Sequence, residues 1–164
     1  MIVIESTDIH EHLGTLAKLS EECSHITEMG VRNCVSTWAF LEGLAKTKGK
    51  LVSIDIVNPP EENLQAVKDT AKKLEIDFEF RLGDTTKIEI EETDLLFIDT
   101  DHTTEHLKKE FRLHAHKAKK YIVLHDTESA KELWVAIGYL LKVGAWKVKQ
   151  HYQNNNGLTV LERI

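Results

Sequence analysis

The chain has 164 residues, 41% hydrophobic and 29% charged, with a formal net charge of -6. That length suits one domain spanning 1–164 with a real core, and the acidic balance argues against a broad nucleic-acid face. No apolar run reaches the ~20 residues of a bilayer span. Two cysteines, Cys23 and Cys34, are too few for a disulfide framework. With no basic leader in MIVIESTDIHEH, a cytoplasmic location is expected.

Short β-rich runs alternate with helical patterns. A first helix is expected over about 9–23, with Asp8 as its N-cap. A strand over 25–29 leads to a turn at Gly30 and a helix over about 36–46. LVSIDIV, from Leu51, has the nearly continuous apolar character of a strand buried on both faces. Pro59 and Pro60 open a helix that ends near Leu74. Strands are expected at 78–82 and 94–98, then a charged helix over 103–117, a fifth strand in KYIVLHD and a helix over about 130–143. AWKVKQHYQ, NNNG and LTVLERI close the chain as two strands around a tight turn. The fold class is therefore α/β: three layers, doubly wound, with a mainly parallel seven-stranded sheet and a C-terminal antiparallel hairpin.

Ligands of such sheets bind beyond the carboxyl ends of the strands. The first strand ends in Glu28 and Gly30, the second in Asp55 and the third in Gly83 and Asp84. The fourth ends in Asp99, Asp101 and His102, and the fifth in His125 and Asp126. An acidic group thus finishes each of them.

LLFIDTDHTTEH, from Leu95 to His106, admits three readings. HTTEH matches the HxxEH pattern of inverted zinc proteases, but His102 follows a buried strand directly and so sits in a loop, outside the helix that pattern requires. Alternatively Asp99 and Asp101 cap the next helix in competition with Thr103 and Thr104, and His106, His114 and His116 lie on a solvated face. Capping does not explain why the fifth strand also ends in His-Asp. In the third reading Asp99, His125 and Asp126 leave neighbouring strand tips ~4.8 Å apart and share a divalent cation, with His102 placed as a general base. The solvated face is preferred for the three later histidines and the shared cation for the strand ends.

ITEMGVRNCVSTWAFL, LVSIDI, RLGDTT, LLFIDTDHTTEH and YIVLHDTE, in this order, resemble class I S-adenosylmethionine-dependent methyltransferases. The similarity is to metal-dependent sugar O-methyltransferases and cephalosporin-hydroxylase-like proteins, and it covers nearly the whole chain. It implies a Rossmann-like methyltransferase fold and S-adenosylmethionine bound by the loop at Glu28, Gly30 and Arg32. Asp55 would meet the ribose hydroxyls, and Gly83 and Asp84 would lie at the adenine. The family's D-x-x-H pattern falls on Asp99 as a ligand of magnesium or manganese and on His102 as the base. The acidic pair after the fifth strand falls on His125 and Asp126. Cys34 replaces a usual glycine, and His125 replaces a usual glutamate, which favours manganese and its neighbours over magnesium.

The implied activity is methyl transfer to a hydroxyl of a sugar or other small molecule. One rival is a nicotinamide dehydrogenase, for which GVRNCV lacks the G-x-G-x-x-G pattern. Another is a non-catalytic cofactor- or partner-binding module, favoured by the Cys34 and His125 departures. Trp134, Tyr139 and Trp146 suit core packing first and a homodimer interface second.

Overall fold

A computed structural model describes residues 7–164. Five parallel strands, β1 (His25–Met29), β2 (Lys50–Asp55), β3 (Asp77–Leu82), β4 (Thr93–Ile98) and β5 (Ala118–His125), are followed by the hairpin of β6 (Trp146–Tyr152) and β7 (Leu158–Arg163). They form one sheet in the order β3-β2-β1-β4-β5-β7-β6, with β7 antiparallel to both of its neighbours.

Strand periodicity divides the core into two layers. Leu95 and Phe97 of β4 face one side while Leu96 and Ile98 face the other, so all four are buried. The first layer packs α1 (Leu13–Ser20), α2 (Val35–Leu44) and α3 (Glu61–Lys73) through residues such as Leu16, Phe40, Leu44 and Val67. The second packs α4 (Thr104–His114) and α5 (Leu133–Lys142) through Leu107, Phe111 and Ile137. This is the expected three-layer class. Among the described residues, no helix is long and apolar enough to cross a membrane.

The boundaries move where tertiary bonds override local preference. Residues 9–23 are not one helix: a 3-10 turn over His10–His12 precedes α1, and Asp8 caps neither. Its carboxylate instead faces Arg32 at 3.8 Å. The segment is fastened to the hairpin loop, with His12 Nε2 2.9 Å from the Asn154 carbonyl and the Glu11 N–H donating to Asn155 Oδ1 at 3.1 Å. Helix α4 is capped by the Thr103 hydroxyl, not by Asp99 or Asp101, and gives way to a 3-10 turn at Ala115. Trp146 is buried and Trp134 packs on the second layer, but Tyr139 is 57% exposed, with Lys108 and Lys142 over its ring.

The winding direction of the sheet reverses between β1 and β4, the point at which open sheets of this kind form a crevice. Gly30 follows β1 there with φ +88°, and a Cβ on it would lie 1.8 Å from the Asp99 carbonyl oxygen. Neither demand can be met by a side chain. Gly30→Ala is therefore expected to cost at least ~2 kcal/mol, read as a lower urea midpoint; an unchanged midpoint would contradict this packing.

Candidate active site

Between β1 and α2 the chain turns through Gly30, Arg32 and Cys34, all in the left-handed region, the latter two at φ 49° and 65°. For residues with a Cβ that conformation costs on the order of 1–2 kcal/mol each. Asp55, at the tip of β2, holds the turn: its Oδ2 accepts the N–H groups of Val31 (2.7 Å) and Arg32 (3.0 Å), and its Oδ1 accepts that of Val57 (3.0 Å). The buried Cys34 is accommodated as helix α2 begins.

Glu28 does not line the crevice. Its carboxyl is fully buried behind the turn, accepting hydroxyl hydrogens from Ser36 (2.6 Å), Thr37 (2.9 Å) and Ser53. It ties β1 and β2 to the first turn of α2, a supporting role where ligand contact was expected. Burial pushes this carboxyl up to about 7, against the pull of the three hydroxyls.

Two adjoining cavities, about 510 and 420 Å³, open at the strand tips, and Gly30, Asp55, Asp99 and Thr100 border both. Arg32, His102 and Asp126 line the first, together with the segment from Thr7 to Ile9. Gly83, Asp84 and His106 line the second. Most expected residues therefore share one rim. Asp84 is also engaged in its own turn. The Thr86 hydroxyl (2.7 Å), Lys87 (3.0 Å) and the Thr86 N–H (2.9 Å) hold it well below the usual carboxylate range.

Asp99, His125 and Asp126 present ligand atoms that all lie within 4.8 Å of one another. The His125 side chain is fully buried, with Nε2 3.0 Å from the carbonyl oxygens of both Asp8 and Asn155. Carbonyls only accept, so Nε2 carries the hydrogen and Nδ1 points toward Asp126 Oδ2 (3.2 Å) and Asp99 Oδ2 (3.5 Å). Nδ1 is buried without a well-aligned hydrogen-bond partner. Burial opposes a charge on this ring, but Asp126 and Asp99 outweigh it and push the imidazole up to about 10. Asp126 in turn lies well below its ordinary range: burial is outweighed by His125, and Ser129 donates to Oδ1 at 2.7 Å. Its backbone is left-handed, at φ 59°.

His102 stands half-exposed over this cluster, with Nε2 2.8 Å from Asp126 Oδ2 and 3.6 Å from Asp99 Oδ1. Asp99, helped by Asp126 and opposed by burial, raises the imidazole above its ordinary value. It is thus more basic than the unperturbed histidine that the sequence suggested.

The solvated face expected for the later histidines is not observed for two of them. His114 is buried with Nε2 2.7 Å from the Thr85 carbonyl, and His106 is half-buried with Nε2 3.2 Å from the buried Glu110. Glu110 was not singled out from the sequence, although its i,i+4 spacing from His106 is visible there.

Residues 27–127, more than half of the chain, match the family described as a methyltransferase domain, and the chain belongs to that family. No curated protein matches the sequence. An O-methyltransferase from Bacillus cereus, solved in complex with SAH, superposes with a TM-score of 0.67 at 12% identity, over 99% of this chain and 94% of that one. The SAH-bound Podospora anserina methyltransferase PaMTH1 gives 0.66 at 14% identity, over 93% and 78%. An rRNA methylase from Streptococcus thermophilus gives 0.61 at 16% identity, over 99% of both chains. The fold is that of class I S-adenosylmethionine-dependent methyltransferases, and the protein is a methyltransferase of this class.

Glu28 has a folded-state pKa above its ordinary value near 4.5, so the native state binds the extra proton. Its contribution to stability is complete below pH ~4.5 and is lost as pH rises to about 7, by a few kcal/mol at most. Glu28→Gln should flatten the fall in urea midpoint between pH 5 and pH 8. An identical pH slope in both proteins would refute this.

Proposed function

We propose that the protein methylates a hydroxyl of a sugar or other small molecule, with Asp99, His125 and Asp126 holding a divalent cation and His102 acting as base. The observation that supports this best is the orphaned Nδ1 of His125. Two carbonyls hold a hydrogen on Nε2, and Nδ1 faces the Asp126 and Asp99 carboxylates, which favour a positive charge there, either a second proton or a cation. A cation that displaced the Nδ1 proton would meet one nitrogen and two carboxylates, a set that suits manganese or a similar first-row ion better than magnesium.

When bound, the methyl donor supplies an electrophilic carbon and the cation acidifies a hydroxyl that would otherwise stay protonated at neutral pH. The protein's own residues provide the rest. Asp99 and Asp126 would hold the cation, and Ser129 and the His125 ring keep the Asp126 carboxylate in place. His102 Nε2, which now lies 2.8 Å from Asp126 Oδ2, would be the atom to accept the hydroxyl proton. Because Asp99 borders both cavities, donor and acceptor would meet beside it, which orients the reacting groups.

The polar first cavity, with Asp8, Arg32 and Asn33 in its wall, supports a hydroxylated acceptor. A screen of glycans and small hydroxylated compounds with labelled methyl donor tests the proposal. Turnover should fall on chelation and in Asp99→Asn, and return with manganese only in the unmodified protein. Turnover that is indifferent to both would remove the metal. His102→Ala should lower kcat by ~10²-fold or more while leaving affinity for S-adenosylhomocysteine unchanged; an unchanged kcat would exclude it as the base.

A further inference from the structure

The turn between β6 and β7 offers successive carbonyls to the elements around the strand tips. That of Asn154 accepts from His12 Nε2 (2.9 Å), that of Asn155 from His125 Nε2 (3.0 Å), and that of Asn156 from the N–H groups of Glu128 (2.8 Å) and Ser129 (3.0 Å). Each carbonyl holds a different element: the N-terminal segment, the end of β5, and the loop that leaves Asp126. Asn155, Asn156 and Gly157 are all left-handed, a conformation that asparagine and glycine tolerate best. Gly157 is confined further, since a Cβ on it would lie 2.5 Å from the Glu128 nitrogen.

The Gly157 N–H closes the turn on the Asn154 carbonyl at 2.9 Å, so the hairpin does not need these outward bonds for itself. Asn155 makes more of them than its carbonyl alone. Its Oδ1 accepts the Glu11 N–H (3.1 Å), and its Nδ2 donates to the Thr7 carbonyl (3.4 Å). Asp8, whose carbonyl is the other acceptor for His125 Nε2, lies in the chain between those two anchor points. Both bonds that orient the His125 ring therefore depend on one residue. A histidine that ligates a metal needs its far N–H held in this way, because that bond sets which nitrogen faces the ion and at what angle. We propose that Asn155 is a positioning residue for the cation site: it supplies one of the two carbonyls that hold His125 and anchors the segment that supplies the other. This rests on the reading of Asp99, His125 and Asp126 as cation ligands.

The test is Mn2+ affinity, followed by electron paramagnetic resonance with the metal alone, beside calorimetric titration with S-adenosylhomocysteine. Asn155→Ala should bind Mn2+ about tenfold more weakly than wild type, the scale on which the outer partners of a metal-binding histidine act. Its affinity for S-adenosylhomocysteine should be unchanged. Asn155→Asp keeps an oxygen for the Glu11 N–H and tolerates the left-handed turn, so it should recover most of the Mn2+ affinity. If the alanine variant does not fold, Asn155→Gly removes the same side-chain bonds without strain at φ 48° and carries the test. A residue that only supports the fold would lower the urea midpoint and leave Mn2+ affinity alone, or lower both affinities together. Either result, or an aspartate variant as weak as the alanine one, overturns the inference and leaves the cation site standing. Wild type that does not bind Mn2+ overturns both.

Discussion

The contact between Gly30 and the backbone of Asp99 sets the geometry of everything beyond the strand tips. β1 and β4 are adjacent, and the chain leaves them toward opposite faces of the sheet, so their ends part and leave a crevice. Only a residue without a side chain can follow β1 so close to the Asp99 carbonyl. The turn that follows is drawn onto Asp55 of β2, while Asp99 projects from β4 on the other side. One glycine thus brings the two cavities at the strand tips together beside Asp99. The left-handed Arg32 and Cys34 show that the turn is imposed by its surroundings, since their own preferences oppose it.

The second constraint is electrostatic. Two carboxylates converge beside a buried imidazole whose far nitrogen is already committed to two carbonyl oxygens. The charges can be balanced by a second proton on the ring or by a cation. The bonds to His125 Nε2 and from Ser129 to Asp126 hold these side chains in place before any ligand arrives, which gives a preorganised site. The Asp8 and Asn155 carbonyls come from opposite ends of the chain. The same bonds therefore hold the segment at Thr7–Ile9 in the wall of the first cavity and couple that wall to the closing hairpin.

Much of this was legible in the sequence, for physical reasons. Continuous apolar strands and punctuating glycines and prolines revealed the sheet, and NNNG revealed the hairpin because asparagine and glycine tolerate its left-handed turn, at φ 48°, 66° and 93°. The shared rim followed from strand ends alone, since side chains at parallel tips must face one side. What stayed hidden depends on contacts between distant residues. Nothing local in Glu28 distinguishes a buried strut from a ligand-binding group. The break before α1 arises from bonds to Asn154 and Asn155, and His114 looks polar until the Thr85 carbonyl is found beside it. Asp55 and Asp84 stand on the expected rim, yet each also secures a turn of its own, so position and present bonding are separate findings.

The central proposal is spatial: a cation held by Asp99, His125 and Asp126 would lie beside the transferable methyl group across Asp99. Paramagnetic broadening of the 13C-methyl resonance of labelled S-adenosylmethionine, bound to the protein in the presence of Mn2+, measures that separation directly. The account predicts strong broadening that Asp99→Asn abolishes while the donor stays bound. A methyl signal left sharp by Mn2+ at saturating donor would contradict it.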